Sequence, residues 1–421
     1  MGGCASTYTI DDVSDDVTVE NSIAAGITKE QLEDLFPSLA GESIGKIIAE
    51  CHNDLQAAVT RLLEMPMDEG TDLQREGDPD ASAPQSGVSD PELADMQRLY
   101  GMAKSKETDV RYQAAVILCN LSLSKPLEPG AHRVLARLLD DTEDVALLAA
   151  TALANAALHE ESQDSVGDKD IIGRIRVAFN KHESPRIVEQ LARTISNVCY
   201  QREDLEKKML DLKIIDKLFE TAILGSENDR VESIAALANL SRNTEVQEFI
   251  LVTKIMTVRE IAPLMQRSND NETARNVVRF IGNLSVHPMG KQILVEEGVC
   301  SPLLYSLTMG EDEIERLSAL AIANLASDAQ FRAAYLTETV VFDTFIPLLQ
   351  AVDKPELSKQ IGRAMLHVLA RASDAFKQRC VQHGLLAAIM PMSRDPDISA
   401  RILAARILGQ LHTIRGLSAS W

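Results

Sequence analysis

Residues 235–241 read Ala-Ala-Leu-Ala-Asn-Leu-Ser, and residues 279–285 read Arg-Phe-Ile-Gly-Asn-Leu-Ser. Related segments, each with a central polar residue between aliphatic neighbours, recur along the chain. We call these central residues the ladder residues and number the repeats by them: Asn120, Asn155, Asn197, Asn239, Asn283, Asn324, His367 and Gln410. Their separations are 35, 42, 42, 44, 41, 43 and 43 residues. A period of this length is typical of stacked helical repeats.

Aliphatic residues flank every ladder residue at fixed positions. Ile281 lies two residues before Asn283 and Leu284 lies one residue after it, and the other repeats have apolar side chains at the same places. A separation of three residues puts both side chains on one face of a helix. Five residues before the ladder residue, most repeats have Ala or Gly, which lets a neighbouring helix approach closely. The pattern therefore predicts eight helices packed side by side.

The composition also favours helices over strands. Apolar residues make up 45% of the 421 residues, but aromatic residues only 4%, whereas strands are enriched in aromatic and β-branched side chains. The six cysteines are dispersed without a Cys-x-x-Cys pair, which predicts neither a zinc cluster nor a disulfide framework. The sequence has no secretion signal and no apolar run long enough to cross a bilayer. We therefore expect a cytoplasmic protein.

The negative charge is concentrated near the N-terminus. Residues 1–95 contain 21 acidic and 4 basic side chains, which accounts for −17 of the formal net charge of −21. Phosphate binding requires clustered Lys and Arg. We therefore expect no nucleic-acid partner.

The turns between helices carry a clear signal in residues 296–304, Glu-Glu-Gly-Val-Cys-Ser-Pro-Leu-Leu, where Gly ends one helix and Pro begins the next. With the period and the regular Asn, this turn makes residues 92–421 resemble the armadillo repeat. HEAT repeats are the main alternative, but they lack the regular Asn. The resemblance implies an all-α, armadillo-type, right-handed α-solenoid of about eight repeats whose third helices line a concave groove.

In many armadillo proteins the groove asparagine binds the backbone of an extended peptide, because one amide supplies both a donor and an acceptor. The resemblance thus implies an unidentified protein partner in the groove. An alternative stays open, in which each Asn only bridges adjacent helices. The asparagines expected to bind peptide are Asn155, Asn197, Asn239, Asn283 and Asn324.

Arginines occur one helical turn before several ladder residues. These are Arg193, Arg279, Arg363 and Arg406, and we expect the first three to bind the groove peptide by pairing with its carboxylates. Alternatively, they bond acidic side chains of neighbouring repeats. Nuclear-import adaptors have Trp at this position, but the only Trp here is Trp421, so import-cargo recognition is not predicted.

A second module is predicted at residues 23–66. Thr28 begins a short helix that Pro37 ends, and two further short apolar segments follow. The Leu35-Phe36-Pro37 tip and the Leu62-Leu63 pair resemble the CUE domain, although that family usually has Met at the position of Leu35. The resemblance implies a three-helix, UBA-like domain that binds ubiquitin or a ubiquitylated protein through these five residues. In the alternative, they form only the core of a UBA-like fold that does not bind ubiquitin.

The first residues, Met-Gly-Gly-Cys-Ala-Ser, match an N-myristoylation signal at Gly2, with Cys4 as a candidate palmitoylation site. We expect residues 1–22 to form a disordered acidic N-terminus and 67–91, rich in Pro, Gly, Ser and Asp, to form a flexible linker. Acylation would anchor the protein peripherally on the cytosolic face of a membrane.

Signals for catalysis are absent from the sequence. There is no phosphate-binding Gly-rich loop, no metal-ligand spacing and no recognisable nucleophile motif. The sequence therefore predicts no catalytic or metal site and no cofactor. It indicates a non-enzymatic adaptor or scaffold. A nucleotide-exchange factor for a heat-shock chaperone and a purely structural scaffold remain as alternatives.

Overall fold

The computed structural model describes residues 91–200, 202–267, 271–351 and 353–412. The chain divides into two units, Met1–Ser89 and Asp90–Trp421, and all described residues belong to the second. The acylation signal, the CUE-like domain with its five ubiquitin-contact residues, and nearly all of the linker lie outside the described residues. These features and the domain boundaries proposed around them stay predictions.

Every regular element in the described ranges is helical. Val340–Phe345 is a π-helical segment that runs directly into the helix after it. The α-helices are α1 Pro91–Met102, α2 Thr108–Ser124, α3 Pro129–Leu138, α4 Glu143–Ala156, α5 Glu160–Val166, α6 Lys169–Lys181, α7 Pro185–Val198, α8 Glu203–Asp211, α9 Ile214–Leu224, α10 Glu227–Leu240, α11 Thr244–Thr253, α12 Ile255–Ile261, α13 Leu264–Arg267, α14 Asn271–Leu284, α15 Pro288–Glu296, α16 Ser301–Ser306, α17 Asp312–Leu325, α18 Ala329–Tyr335, α19 Ile346–Leu349, α20 Pro355–Leu369, α21 Asp374–Gln382, α22 Leu385–Ser393 and α23 Ile398–His412.

The longest of these helices, α2, has 17 residues. A membrane-spanning helix needs about 20 mostly apolar residues. Within the described ranges, no helix has both the length and the apolarity that a bilayer crossing requires.

Eight helices carry the ladder residues, each within its last five residues: α2, α4, α7, α10, α14, α17, α20 and α23. We call these the ladder helices. Each one packs against the next, so that the eight form a continuous layer. The predicted set of eight packed helices is confirmed, and the shorter helices between them complete each repeat.

The predicted apolar positions form the core of this layer. The residue two before the ladder residue is buried in every repeat except the last, where Leu408 is half-buried. The residue one after it is buried in every repeat except the first, where Leu121 is half-buried. These exceptions lie in the first and last ladder helices, which among the described elements have a ladder neighbour on one side only.

The predicted turn between repeats is also present. Helix α15 ends at Glu296, and Gly298 has a φ of 72°, a left-handed conformation that favours glycine. Pro302 lies in the first turn of α16, where its missing N–H leaves no helical hydrogen bond unmade. The chain can therefore reverse within a few residues, which lets successive helices stack.

Candidate functional site

The five predicted groove asparagines all donate hydrogen bonds to the preceding repeat. Nδ2 of Asn283 donates to the Ala238 carbonyl at 2.8 Å and to Ser241 Oγ at 3.1 Å. Nδ2 of Asn324 donates to Ser285 Oγ at 3.1 Å. The ladder residues thus connect neighbouring ladder helices.

In repeats 1, 4 and 5, the serine two residues after the ladder asparagine accepts one of these bonds from the next repeat. Ser241 Oγ donates onward to the Ala238 carbonyl at 2.9 Å, and Ser285 Oγ donates to the Gly282 carbonyl at 2.6 Å. Asn155 makes the same type of contact with Ser122 Oγ, at 3.4 Å. The Asn-Leu-Ser signature therefore supplies a serine that accepts a bond from the next repeat, a role that we did not infer from the sequence.

Repeats 2 and 3 lack this serine, with Ala157 and Cys199 in its place. The next asparagine then uses a backbone carbonyl. Nδ2 of Asn197 donates to the Ala154 carbonyl at 3.1 Å, and Nδ2 of Asn239 donates to the Ser196 carbonyl at 2.9 Å and to Ser196 Oγ at 3.0 Å. The bridging role that the sequence left open is thus present in all five asparagines.

Bridging does not use the whole hydrogen-bonding capacity of these side chains. A carboxamide has two N–H donors and an oxygen that accepts two bonds. Asn155 and Asn239 are buried, whereas Asn197, Asn283 and Asn324 are half-buried and so keep part of their surface accessible. Asn197, Asn283 and Asn324 can therefore both bridge repeats and contact a ligand.

Two of the predicted arginines contact a ladder asparagine of the preceding repeat. Nη2 of Arg279 donates to Oδ1 of Asn239 at 2.7 Å, and Nη2 of Arg363 donates to Oδ1 of Asn324 at 3.4 Å. Within the described residues neither guanidinium lies within 4.0 Å of a carboxylate, and desolvation lowers the pKa of both. Both guanidinium charges are therefore partly buried, and the side-chain oxygens that accept hydrogen bonds from them belong to neutral amides.

Arg193 has different surroundings. Desolvation raises the pKa of the neighbouring Glu189 carboxyl, and it raises that of Glu232 to about 7, while the charge of Arg193 partly offsets the rise at both. Glu272 and Glu189 add to the rise at Glu232. The arginines therefore do not form a uniform basic ridge, because repeats 3 and 4 present acidic side chains beside Arg193.

A second periodic position was not inferred from the sequence. The helix that follows each ladder helix from repeat 2 to repeat 7 places its fourth residue near the ladder turns. Nε2 of Gln247 donates to the Ser241 carbonyl at 2.8 Å, and Nη1 of Arg332 donates to the Ala326 carbonyl at 2.7 Å. In chain order these residues are Gln163, Glu206, Gln247, Lys291, Arg332 and Lys377. Aligning the repeats would have shown that the residue at this position is neutral or acidic in repeats 2 to 4 and basic in repeats 5 to 7.

The described residues also include potential nucleophiles and metal ligands. Cys119, Cys199, Cys300 and Cys380 are free and buried, and burial raises the pKa of Cys119, Cys300 and Cys380 to about 12, which disfavours the thiolate that a nucleophile requires. Within the described ranges, no three His, Cys, Asp or Glu side chains are grouped so as to hold a metal ion.

Comparisons with known proteins agree with this architecture. No protein-family model matches the chain. Vacuolar protein 8 of Schizosaccharomyces pombe is 24% identical over 200 residues, which is 47% of this chain and 35% of that protein, so the match spans about a third of the relative. An engineered protein solved by the Northeast Structural Genomics Consortium superposes with a TM-score of 0.66 and 21% identity, covering 76% of this chain and 79% of its own. A designed armadillo repeat protein superposes with a TM-score of 0.51 and 20% identity, covering 57% of this chain and 99% of its own. The described part of the chain therefore has an armadillo-type α-solenoid fold.

Proposed function

We propose that the protein is a non-enzymatic adaptor that binds an extended segment of a protein partner along the ladder helices. The observation that supports this is the row of half-buried amides at Asn197, Asn283 and Asn324, each of which belongs to a different repeat. Extended peptides present backbone N–H and C=O groups at regular intervals, and a row of amides can bind them without reading side chains.

The N-terminal unit would give the adaptor its second and third attachments. The Leu35-Phe36-Pro37 tip and the Leu62-Leu63 pair are proposed to hold ubiquitin or a ubiquitylated protein. Acylation at Gly2 and Cys4 is proposed to place the protein on the cytosolic face of a membrane, since two acyl chains are needed for stable anchoring. Both proposals rest on the sequence motifs.

The peptide-binding proposal can be tested by site-specific photo-crosslinking. A benzophenone amino acid replaces Ala235, which is half-buried and lies one turn before Asn239 on a ladder helix. The matched control position is Leu224, which is 77% exposed at the end of α9. We expect a protein partner to crosslink at position 235 but not at position 224.

A second arm asks whether the amides themselves take part. Combining Asn197→Ala with Asn283→Ala should abolish the crosslink at position 235 while the helical circular-dichroism spectrum is kept. Equal crosslinking at positions 235 and 224, or a crosslink that the double alanine variant leaves unchanged, would contradict the proposal.

A further inference from the structure

Three basic side chains from three different helices converge on the end of ladder helix α17. Nζ of Lys291 donates to Ser327 Oγ at 3.0 Å. Nη1 of Arg332 donates to the Ala326 carbonyl at 2.7 Å and to the Ser327 carbonyl at 2.8 Å. Arg363 reaches Asn324 Oδ1 from the next ladder helix. Residues 324–327 thus accept hydrogen bonds from three positively charged side chains that belong to successive repeats.

Two more basic groups extend this arrangement. His367 is exposed and lies one turn after Arg363 on α20. Arg406 lies on α23, which packs against α20, and it occupies the position there that Arg363 has on α20, one turn before the ladder residue. Desolvation, followed by the charges of Arg332, Arg363, Lys291 and Arg406, lowers the pKa of His367. We call Lys291, Arg332, Arg363, His367 and Arg406 the basic cluster. Within the described residues, none of its members forms an ion pair with a carboxylate.

Helix capping alone does not explain these charges. Cations near the C-terminus of a helix are favourable and can bind its last carbonyls. The equivalent residues of earlier repeats are Gln163, Glu206 and Gln247, and the neutral amides of the two glutamines donate to the Ala157 and Ser241 carbonyls at 3.2 and 2.8 Å. Since a neutral amide can cap these turns, capping does not require the positive charge that is present in repeats 5 and 6.

The charged side chains along the ladder helices change from mixed acidic and basic in the middle repeats to basic in the C-terminal repeats. Repeats 3 and 4 present Glu189 and Glu232 beside Arg193, whereas the basic cluster occupies repeats 5 to 8. An acidic ligand finds favourable charge contacts at the C-terminal end of this row, whereas the carboxyl groups of repeats 3 and 4 offer it none. Charge complementarity would therefore place it over the C-terminal repeats in one register.

We propose that the basic cluster binds the anionic side chains of an acidic peptide segment in a protein partner. The ligand groups are carboxylates or phosphoserine phosphates, both of which accept paired N–H bonds from a guanidinium. This inference rests on the proposed function, because it assigns a class of peptide to the same ladder helices. The binding of an anion would also compensate the partly desolvated charge of Arg363.

A peptide fits these observations better than a nucleic acid. The acidic side chains of repeats 3 and 4 and the net charge of −21 both oppose a long polyanion. A short acidic segment satisfies the cluster without meeting the acidic repeats.

The experiment measures the binding of three fluorescent dodecapeptides to the full chain at low salt. One alternates Glu with Ser, one has Gln in place of Glu, and one has Gln in place of Glu and phosphoserine in place of Ser. We expect the Gln–Ser peptide not to bind and at least one of the two anionic peptides to bind, with the comparison between these two identifying the preferred anion. Added salt should weaken the binding because it screens the charges.

Matched variants locate the site. Lys291→Gln with Arg332→Gln introduces the residue that repeats 2 and 4 already have, so two charges are lost while each position keeps an amide that can donate to the turn. Arg363→Gln with Arg406→Gln removes two more. The control, Arg174→Gln with Arg259→Gln, makes the same change in net charge at exposed residues paired with Asp140 and Glu297. Each cluster variant should bind about tenfold more weakly or worse, and the control within about twofold of wild type, as expected for charge-assisted hydrogen bonds.

His367 provides a readout inside the cluster. A bound anion should raise its pKa, which histidine NMR signals can report, and the Gln–Ser peptide should leave it unchanged. Equal binding of charged and neutral peptides, or equal loss in the control variant, would overturn the proposal. Cluster-dependent binding of a single-stranded oligonucleotide or of phosphatidylserine vesicles, without binding of the anionic peptides, would also overturn it. Photo-crosslinking at position 235 without binding of the anionic peptides would reject this inference and leave the proposed function standing.

Discussion

Arg279 Nη2 donates a 2.7 Å hydrogen bond to Oδ1 of Asn239, which lies 40 residues earlier in the chain. The Asn239 amide simultaneously donates to the Ser196 carbonyl and hydroxyl. One buried side chain therefore connects ladder helices α7, α10 and α14. Asn324 also uses both ends of its amide, but it is half-buried and its bond from Arg363 is 3.4 Å long, whereas Asn239 is buried and its bond from Arg279 is 2.7 Å long.

Replacing Asn239 with Ala should destabilise the solenoid by about 2–3 kcal/mol, since the change leaves the half-buried Arg279 guanidinium and the buried Ser196 groups without their partner. The measurement is urea unfolding followed by circular dichroism. His367→Ala, at an exposed ladder position, should cost less than about 0.5 kcal/mol. In a double-mutant cycle, additive effects of Asn239→Ala and Arg279→Ala would show that the pair is not coupled.

Gly290→Ala should destabilise the protein by about 2 kcal/mol or more. A Cβ at this position would lie 2.0 Å from the backbone oxygen of Leu284, and backbone cannot move as cheaply as a side chain. Gly282→Ala is the matched control, because its nearest neighbour would be Ala321 Cβ at 3.8 Å. We expect Gly282→Ala to be neutral or stabilising by up to about 1 kcal/mol through helix propensity. Thermal melts of both variants compare the two directly, and similar melting temperatures would contradict the close contact at Gly290.

Glu206 should make stability depend on pH between about 4.5 and 7. Burial raises the pKa of this carboxyl to about 7 from the ordinary 4.5. The folded state therefore binds the proton more tightly, so this contribution to stability is full below pH 4.5 and is lost as the pH rises through 7. Glu206→Gln should be neutral at pH 5 and stabilise by about 1–3 kcal/mol at pH 8. Urea unfolding at both pH values measures this, with the exposed Glu248→Gln as control. An equal effect of Glu206→Gln at both pH values would show that the group does not titrate in this window.

The full chain should bind monoubiquitin weakly, as a small apolar contact with few anchors does. Titration of isotopically labelled ubiquitin should shift its NMR signals, and Phe36→Ala or the pair Leu62→Ala and Leu63→Ala should abolish the shifts. Leu224→Ala, at an exposed solenoid position, should leave them unchanged. An absence of shifts at millimolar concentration would disprove ubiquitin binding, and an unchanged helical spectrum must accompany any loss in the variants.

Gly2→Ala should make the protein wholly soluble in cell fractionation, whereas Cys4→Ser should leave weak and reversible membrane association. The difference follows because a single myristoyl chain gives only marginal affinity and a second acyl chain is needed for stable anchoring. Mass spectrometry of the native N-terminus provides the direct check. An acetylated Met1 or an unmodified Gly2 would rule out the acylation proposal.

The period of the sequence was sufficient to predict the fold of the described residues. Fixed spacing of Leu or Ile around Asn239, Asn283 and Asn324 placed one apolar face on each helix, and eight such faces can be buried only by stacking. The turn at Gly298 and Pro302 followed from local backbone preferences. These features depend on short stretches of chain, which is why a single sequence contains them.

The partners of the polar residues were determined by the tertiary structure. Arg279 meets Asn239 across 40 residues, Asn283 meets Ser241 across 42, and Lys291 meets Ser327 across 36. The sequence placed the predicted arginines on one line but did not show that Arg193 lies beside Glu232, or that Lys291, Arg332, Arg363 and Arg406 all lie near His367. Apolar burial has no directional preference and follows from the periodic pattern alone, whereas a hydrogen bond or a charge contact needs particular atoms within a few ångströms, and only the stacking of the repeats sets those distances.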